Sequence, residues 1–285
     1  MARLLLSFLT LFLISCSGCA LFQMEGIMFN QKRKSVGIIV TQTFLRVTSK
    51  TQEPPDIKIE TSTKTIEKKD LIISYRSSGS GSIVEHKSKV SFILTASHVC
   101  NIVYKEQIKS IFPFYNKKEY TAMWTRINKI YDIEGESHKA IPLVWSRHHD
   151  TCIMVSSKID QPSLGLAWKP PFPGEKIYYM GFPRGIGGGK FVPMFHGYYV
   201  GEKGVTEWNN RAEVAGFSLP IAPGSSGSSV LDVNGNIVGM LHSYFPVFDN
   251  LGLSATHPQL KELFEKADEV WEIRKDEITK ELRQN

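Results

Sequence analysis

The sequence predicts an all-β protein of two antiparallel β-barrels or sandwiches of similar size, with a helix appended at its C-terminus. Short runs rich in Val, Ile, Tyr, Phe and Thr recur between turn residues from Leu71 to Leu241, and no long helical period interrupts them. A Pro/Gly-rich passage from Gln161 to Gly174 splits these runs into two sets. After His257-Pro258 the period changes, and Leu260, Leu263, Phe264, Ala267, Val270, Trp271, Ile278 and Leu282 fall on one helical stripe. Packing of that stripe on the domain surface is the expectation.

Composition sets the outer bounds. The chain has 285 residues, 42% of them hydrophobic and 22% charged, which is enough for a sizeable core and excludes wholesale disorder. The net charge of +6 is spread along the chain with acids interleaved, so nothing points to nucleic acid.

Residues 1–20 are a different material. Arg3 precedes an apolar run from Leu4 to Ile14, too short to span a bilayer comfortably, and Ser15-Cys16-Ser17-Gly18-Cys19-Ala20 follows. This has the form of an export signal. Leu13-Ile14-Ser15-Cys16 resembles a bacterial lipobox, which makes Cys16, and less well Cys19, a lipidation candidate; ordinary cleavage after Ala20 is the alternative. Either route places the mature protein outside the cytoplasm, in the cell envelope or periplasm if tethered and secreted if not. Residues 21–75 read as an extension or an added strand pair: the basic run Gln31-Lys32-Arg33-Lys34, a strand-like run from Val36 to Val47, a Pro54-Pro55 break and the alternation Ile57 to Thr61.

The first barrel is expected over 76–160, from Gly79-Ser80-Gly81-Ser82-Ile83-Val84, Val90 to Thr95, Ile141 to Trp145 and Cys152 to Val155. The second, over 161–256, draws on Lys176 to Met180, Phe191 to Val200, Glu213 to Leu219, Val230 to Val233 and Ile237 to Leu241, and the helix occupies 257–285. Only Cys100 and Cys152 lie beyond the leader, enough for one bridge in an oxidising compartment.

The chemistry concentrates in Ala222-Pro223-Gly224-Ser225-Ser226-Gly227-Ser228-Ser229-Val230. Such a run has little to bury, so its use lies in backbone shape and exposed hydroxyls: a plain turn, or a loop that presents a serine nucleophile and converging N–H groups. His98, at the end of the apolar run Val90 to Thr95, and Asp150, at the mouth of the run from Cys152, precede it in the order His, Asp, Ser. Each has an ordinary structural reading alone; their conjunction favours chemistry.

These stretches resemble trypsin-like serine peptidases. Leu94-Thr95-Ala96-Ser97-His98 is similar to the family's histidine motif, Asp150 with its apolar strand to the aspartate motif, and Pro223 to Ser228 to the nucleophile loop. Gly174 to Gly185 resembles the opening strand of the second barrel in bacterial members, including Deg-type heat-shock proteases and glutamyl endopeptidases, and Gly252-Leu253-Ser254-Ala255 the end of such domains. The resemblance covers residues 76 to about 265. It implies a chymotrypsin-like fold with the site between the barrels, Ser226 as nucleophile, His98 as general base and then acid, Asp150 as the group orienting it, and an oxyanion hole from the N–H groups of Gly224 and Ser226. Ser225 stands where trypsin has the aspartate that pairs with a new N-terminus, and no Ile-Val-Gly-Gly start is present, so activation by that ion pair is not expected.

Phe217 to Ile221 contains no acid to hold Lys or Arg substrates, so a pocket for small or apolar side chains is expected around Pro220 and Ile221. His242 and Ser243 leave room for glutamate recognition instead. If His98 and Asp150 touch, Cys100 and Cys152 come close, and either a disulfide or two buried thiols results. The expected protein is therefore an exported serine endopeptidase acting on proteins or peptides, with a membrane tether through lipid; a catalytically inactive peptide-binding relative and a purely structural lipoprotein are the alternatives. No metal spacing, phosphate loop or cofactor fingerprint occurs in the sequence, and no metal or cofactor is expected.

Overall fold

The computed structural model describes residues 26–49, 70–101, 120–186, 191–205, 213–245 and 250–284. The leader, with Cys16 and Cys19, lies outside them. Two closed barrels account for the strands. The first joins β1 (Val36–Ser49), β2 (Asp70–Lys87), β3 (Val90–Ala96), β4 (Tyr120–Tyr131), β5 (Ser137–Ser146) and β6 (Thr151–Ser157) in the cyclic order β1-β2-β3-β6-β5-β4. The second repeats that order with β7 (Lys176–Met180), β8 (Met194–Val205), β9 (Glu213–Ser218), β10 (Ser229–Leu231), β11 (Ile237–Tyr244) and β12 (Leu251–Ser254). All described strand pairings are antiparallel.

The central strands β3 and β6 of the first barrel contain no charged residue. Each position of β3 is buried, because one face fills the barrel and the other meets neighbouring elements. The segment read as an extension supplies a wall strand: β1 pairs with β2 along Val36↔Ser82 to Thr48↔Asp70 and with β4 on its other edge.

The linker is pinned to both barrels. The Leu164 N–H donates to the Ile83 carbonyl, Ile237 N–H to Gly165, and Ala167 N–H to Ile237, each at 2.8 Å. The C-terminal helix, His257–Arg283, returns to the first barrel and buries Leu260, Leu263, Ala267, Trp271 and Ile278, with Trp271 edge-on to Phe92 at 5.4 Å between ring centres. The Lys139 ammonium donates to the carbonyls of Glu281 and Gln284, neutralising the negative end of the helix.

Candidate active site

His98 and Asp150 meet because β3 and β6 are hydrogen-bonded neighbours with Ala96 opposite Thr151. The chain leaves β3 through one helical turn, Ser97–Cys100, and enters β6 through Asp150, which adopts the left-handed conformation at φ 51° that Asp tolerates better than most residues. The Asp150 carboxylate then accepts from both the backbone and the ring of His98, N–H to Oδ1 at 2.9 Å and Nδ1 to Oδ2 at 2.6 Å, and its carbonyl accepts the Ser97 N–H at 3.1 Å. With Nδ1–H committed to the carboxylate, Nε2 is the ring's basic nitrogen.

Three further ties hold the histidine turn. Thr41 of β1 donates its hydroxyl to the Val99 carbonyl at 2.8 Å, and Arg126 of β4 donates to Asn101 Oδ1 at 2.6 Å. A disulfide joins Cys100 to Cys152, resolving the choice between bridge and thiols. The register explains it: Cys152 lies opposite Thr95 in the β3–β6 ladder, beneath the turn that carries Cys100.

The Gly/Ser loop depends on two glycines with positive φ, Gly224 at 96° and Gly227 at 90°. A Cβ on Gly227 would lie 2.0 Å from the Ser80 carbonyl oxygen, and one on Gly224 2.5 Å from that of Phe182. Within the loop the N–H groups of Ser225, Gly227 and Ser228 donate to the carbonyls of Ala222, Leu241 and Ser225. Among the described residues, those of Gly224 and Ser226 have no acceptor. Of the four loop serines, Ser225, Ser228 and Ser229 are buried and Ser226 is partly exposed. The Ser226 hydroxyl donates to the His242 carbonyl at 3.4 Å and makes no hydrogen bond to His98. Apo sites commonly have such loose geometry.

Ser80, a residue that sequence reasoning did not single out, fastens this loop to the first barrel. It is fully buried on β2. Its N–H donates to the Ser226 carbonyl at 2.8 Å, its hydroxyl donates to the Gly224 carbonyl at 2.8 Å, and the same oxygen accepts the Phe182 N–H at 2.9 Å. Its carbonyl in turn accepts the Thr95 hydroxyl at 2.8 Å, three residues before His98. One residue, through its side chain and its backbone, therefore links the serine loop, the β7–β8 loop and the histidine strand. The available signal was Gly79-Ser80-Gly81, since small residues inside a strand mark a close backbone approach.

Beside Ser226 lies a cavity of about 360 Å³ lined by Ile221, Ala222, Pro223, Ser226, His242, Ser243 and Tyr244. Pro220 does not border it; its carbonyl accepts the Tyr179 hydroxyl at 2.7 Å. His242 is 4% exposed, with Nδ1 2.9 Å from the Ser243 hydroxyl and Nε2 buried without a hydrogen bond of good geometry. Burial pushes its pKa down to about 4, with the Asp150 carboxylate pulling the other way, so the ring is neutral at pH 7. No side chain lining the cavity is a carboxylate or a cation.

Away from this site, Asp132 and Glu136 on the β4–β5 turn and His138 at the start of β5 hold candidate ligand atoms within 4.8 Å of one another. The turn itself occupies the Asp132 carboxylate, which accepts the N–H groups of Glu134 and Glu136 and lies 3.1 Å from His138 Nε2.

A family model described as a trypsin-like peptidase domain matches residues 79–240, more than half of the chain. No curated protein matches the full sequence. Among solved structures, the chain is similar to a serine endoprotease from Yersinia pestis, at 14% identity and a TM-score of 0.53, over 85% of this chain and 66% of that one. It is also similar to the active form of the Rv3671c protease from M. tuberculosis, at 14% and 0.54, over 84% and 83%. A third likeness is to an HtrA-type protease, AlgW, with a tripeptide, at 13% and 0.56, over 85% and 62%. At these identities the likeness is one of fold.

Proposed function

Since the chain belongs to the trypsin-like peptidase family, we propose that it is a serine endopeptidase whose nucleophile is Ser226, whose general base and acid is His98, and whose orienting acid is Asp150. In this reading His98 Nε2 takes the Ser226 proton as Oγ attacks the scissile carbonyl. The oxyanion that forms is received by the N–H groups of Gly224 and Ser226, and Asp150 stabilises the imidazolium. Collapse expels the amine with the His98 proton and leaves an acyl-enzyme; water, deprotonated by His98, then releases the acid. The observation that carries the reading is the pair of unclaimed N–H groups beside the one partly exposed serine of the loop. Labelling with a fluorophosphonate tests it. Mass spectrometry is expected to find the adduct on Ser226, with none in Ser226→Ala and strongly slowed labelling in His98→Ala. Folded protein that takes no label at Ser226 would point to a peptide-binding relative.

The cavity supports a small or apolar side chain at the substrate position before the cut. Its lining from Ile221 to Pro223 is apolar, and the buried neutral ring of His242 is already engaged with Ser243. Cleavage of a peptide library is expected to show this preference; dominant cutting after Arg, Lys or Glu would remove it. Export is part of the same proposal, with a lipid on Cys16 or Cys19 or cleavage after Ala20. The Cys100–Cys152 disulfide supports it, because structural disulfides persist in oxidising compartments. Mass spectrometry of the mature N-terminus separates the three routes.

A further inference from the structure

The strongest surface anomaly lies on the second barrel, at the far end of the β10–β11 hairpin from the serine. Trp168 is 95% exposed and borders a cavity of about 530 Å³ between the linker and the Asp232–Asn236 turn, and Phe172, close by in the linker, is 64% exposed. This is not a slack loop. The Ala167 N–H immediately before Trp168 is bonded to the Ile237 carbonyl, so the indole projects from fixed backbone. Lys169 holds its ammonium 5.0 Å over the Phe172 ring, and Lys176 holds its own 4.8 Å over Tyr178.

The chain that follows the leader arrives at this same face. Residues 26–32 form a short helix, and Phe29 on it packs against Tyr178 with 4.3 Å between ring centres. Met28 and Lys32 lie so close to the Asp232–Asn236 turn that a Cβ on Gly235 would meet them within 3.2 to 3.5 Å. Ile27 on the outer side is 67% exposed. The segment expected to reach a membrane thus enters the fold beside exposed aromatic and aliphatic side chains interleaved with Lys32, Lys169 and Lys176. Of the two acids bordering the cavity, Asp232 is turned inward, accepting the N–H groups of Asn234 and Asn236, which leaves Glu175.

We infer that the face formed by Trp168, Phe172 and Ile27 with Lys169 and Lys176 is a membrane-contact surface that seats the domain on an anionic bilayer. Indole and phenyl rings partition into the headgroup region while ammonium groups stay at the phosphates, which is the pairing found here. An isolated exposed Trp would need no explanation; this one is held rigidly, grouped with cations and placed where the tether arrives. The orientation has a chemical consequence. β10 and β11 run from the turn to Ser226 and His242, so a bilayer at the turn lies on the order of 15–20 Å from the nucleophile and leaves the cleft open to chains in the surrounding solution.

The inference rests on the tethered reading and is tested apart from it. The full-length mature chain is mixed with vesicles of phosphatidylcholine and phosphatidylglycerol whose acyl chains are either ordinary or brominated, and tryptophan emission is compared in wild type and Trp168→Phe. Because Trp168 is surface-exposed, the variant folds as wild type does, checked by its unfolding midpoint. The expected result is quenching by brominated chains in wild type and its loss in Trp168→Phe. Quenching is also expected to weaken when phosphatidylglycerol is omitted or when Lys169 and Lys176 are changed to Glu. Equal quenching in both proteins while the chain floats with the vesicles overturns the surface and leaves the tether standing. Absence of flotation overturns both. A blue shift of Trp168 emission that follows protein concentration without lipid assigns the face to a second copy and also overturns the proposal.

Discussion

Replacing Ser80 by Ala tests how the first barrel prepares the serine loop. The substitution removes one oxygen, and with it the donor to the Gly224 carbonyl at 2.8 Å and the acceptor of the Phe182 N–H at 2.9 Å, while the backbone bond from Ser80 N–H to the Ser226 carbonyl remains. A buried polar group stripped of its partner costs about 1–3 kcal/mol; with two groups partly relieved by relaxation, a stability loss of about 2–4 kcal/mol is expected. The larger effect is on rate. Deleting an oxyanion donor outright costs about 10²–10³ in kcat, so freeing the Gly224–Ser225 peptide plane, which lies between the two N–H groups of Gly224 and Ser226, is expected to cost about 10–10². Because the loss falls on a group that matters most when negative charge develops, KM should change little. The assay is kcat and KM on a peptide anilide, with urea unfolding in parallel and Ser80→Cys as a same-shape variant of intermediate effect. Ser80→Ala with kcat within about twofold of wild type, while stability falls as expected, would falsify the positioning role and leave Ser80 as ordinary packing.

Four further outcomes follow from the site. Ser226→Ala should lower kcat by about 10⁶ and Asp150→Asn by about 10⁴, both without loss of fold by circular dichroism; a mild Asp150→Asn would mean that the bond to His98 does not set the tautomer used. Replacing Cys100 and Cys152 with Ser opens a bridge across a sequence separation of 52, worth about 4 kcal/mol by loop entropy, and should also depress kcat because the bridge secures the turn bearing His98; an unchanged melting temperature contradicts this. The pKa of His242 is about 4 when folded against 6.5 for the free side chain, so the unfolded chain binds the proton more readily. Its contribution is fully present above pH 6.5 and is lost as pH falls toward 4, by about 3 kcal/mol, and in His242→Gln the stability curve over that window should flatten.

Much of the site was legible because the informative residues sit at strand ends. His98 and Asp150 are each bounded by an apolar run, and two antiparallel runs in register bring such ends together. The resemblance already singled out Ser226 among the four loop serines; the structure adds that Ser225, Ser228 and Ser229 are buried. β4 escaped the pattern because its apolar residues are shared between faces: Ile130 is buried whereas Met123 is 62% exposed and Ile127 41%. The role of β1 was hidden for a related reason, since a strand-like run says nothing about which barrel edge it closes. Ser80 was the least readable. Its partners lie 144 and 102 residues away, so its value comes from the packing of two domains and leaves no local spacing to detect.

The C-terminal helix gives the fold an order in time. Its buried side chains, Trp271 against Phe92 above all, cover the first barrel, yet they are made after both barrels. During synthesis the part of the first barrel that this helix covers waits until the second barrel has been completed and the 27-residue helix after it has returned. The half that carries His98 and Asp150 is begun before the second barrel and sealed after it, so these two residues acquire their full support only once the helix has docked.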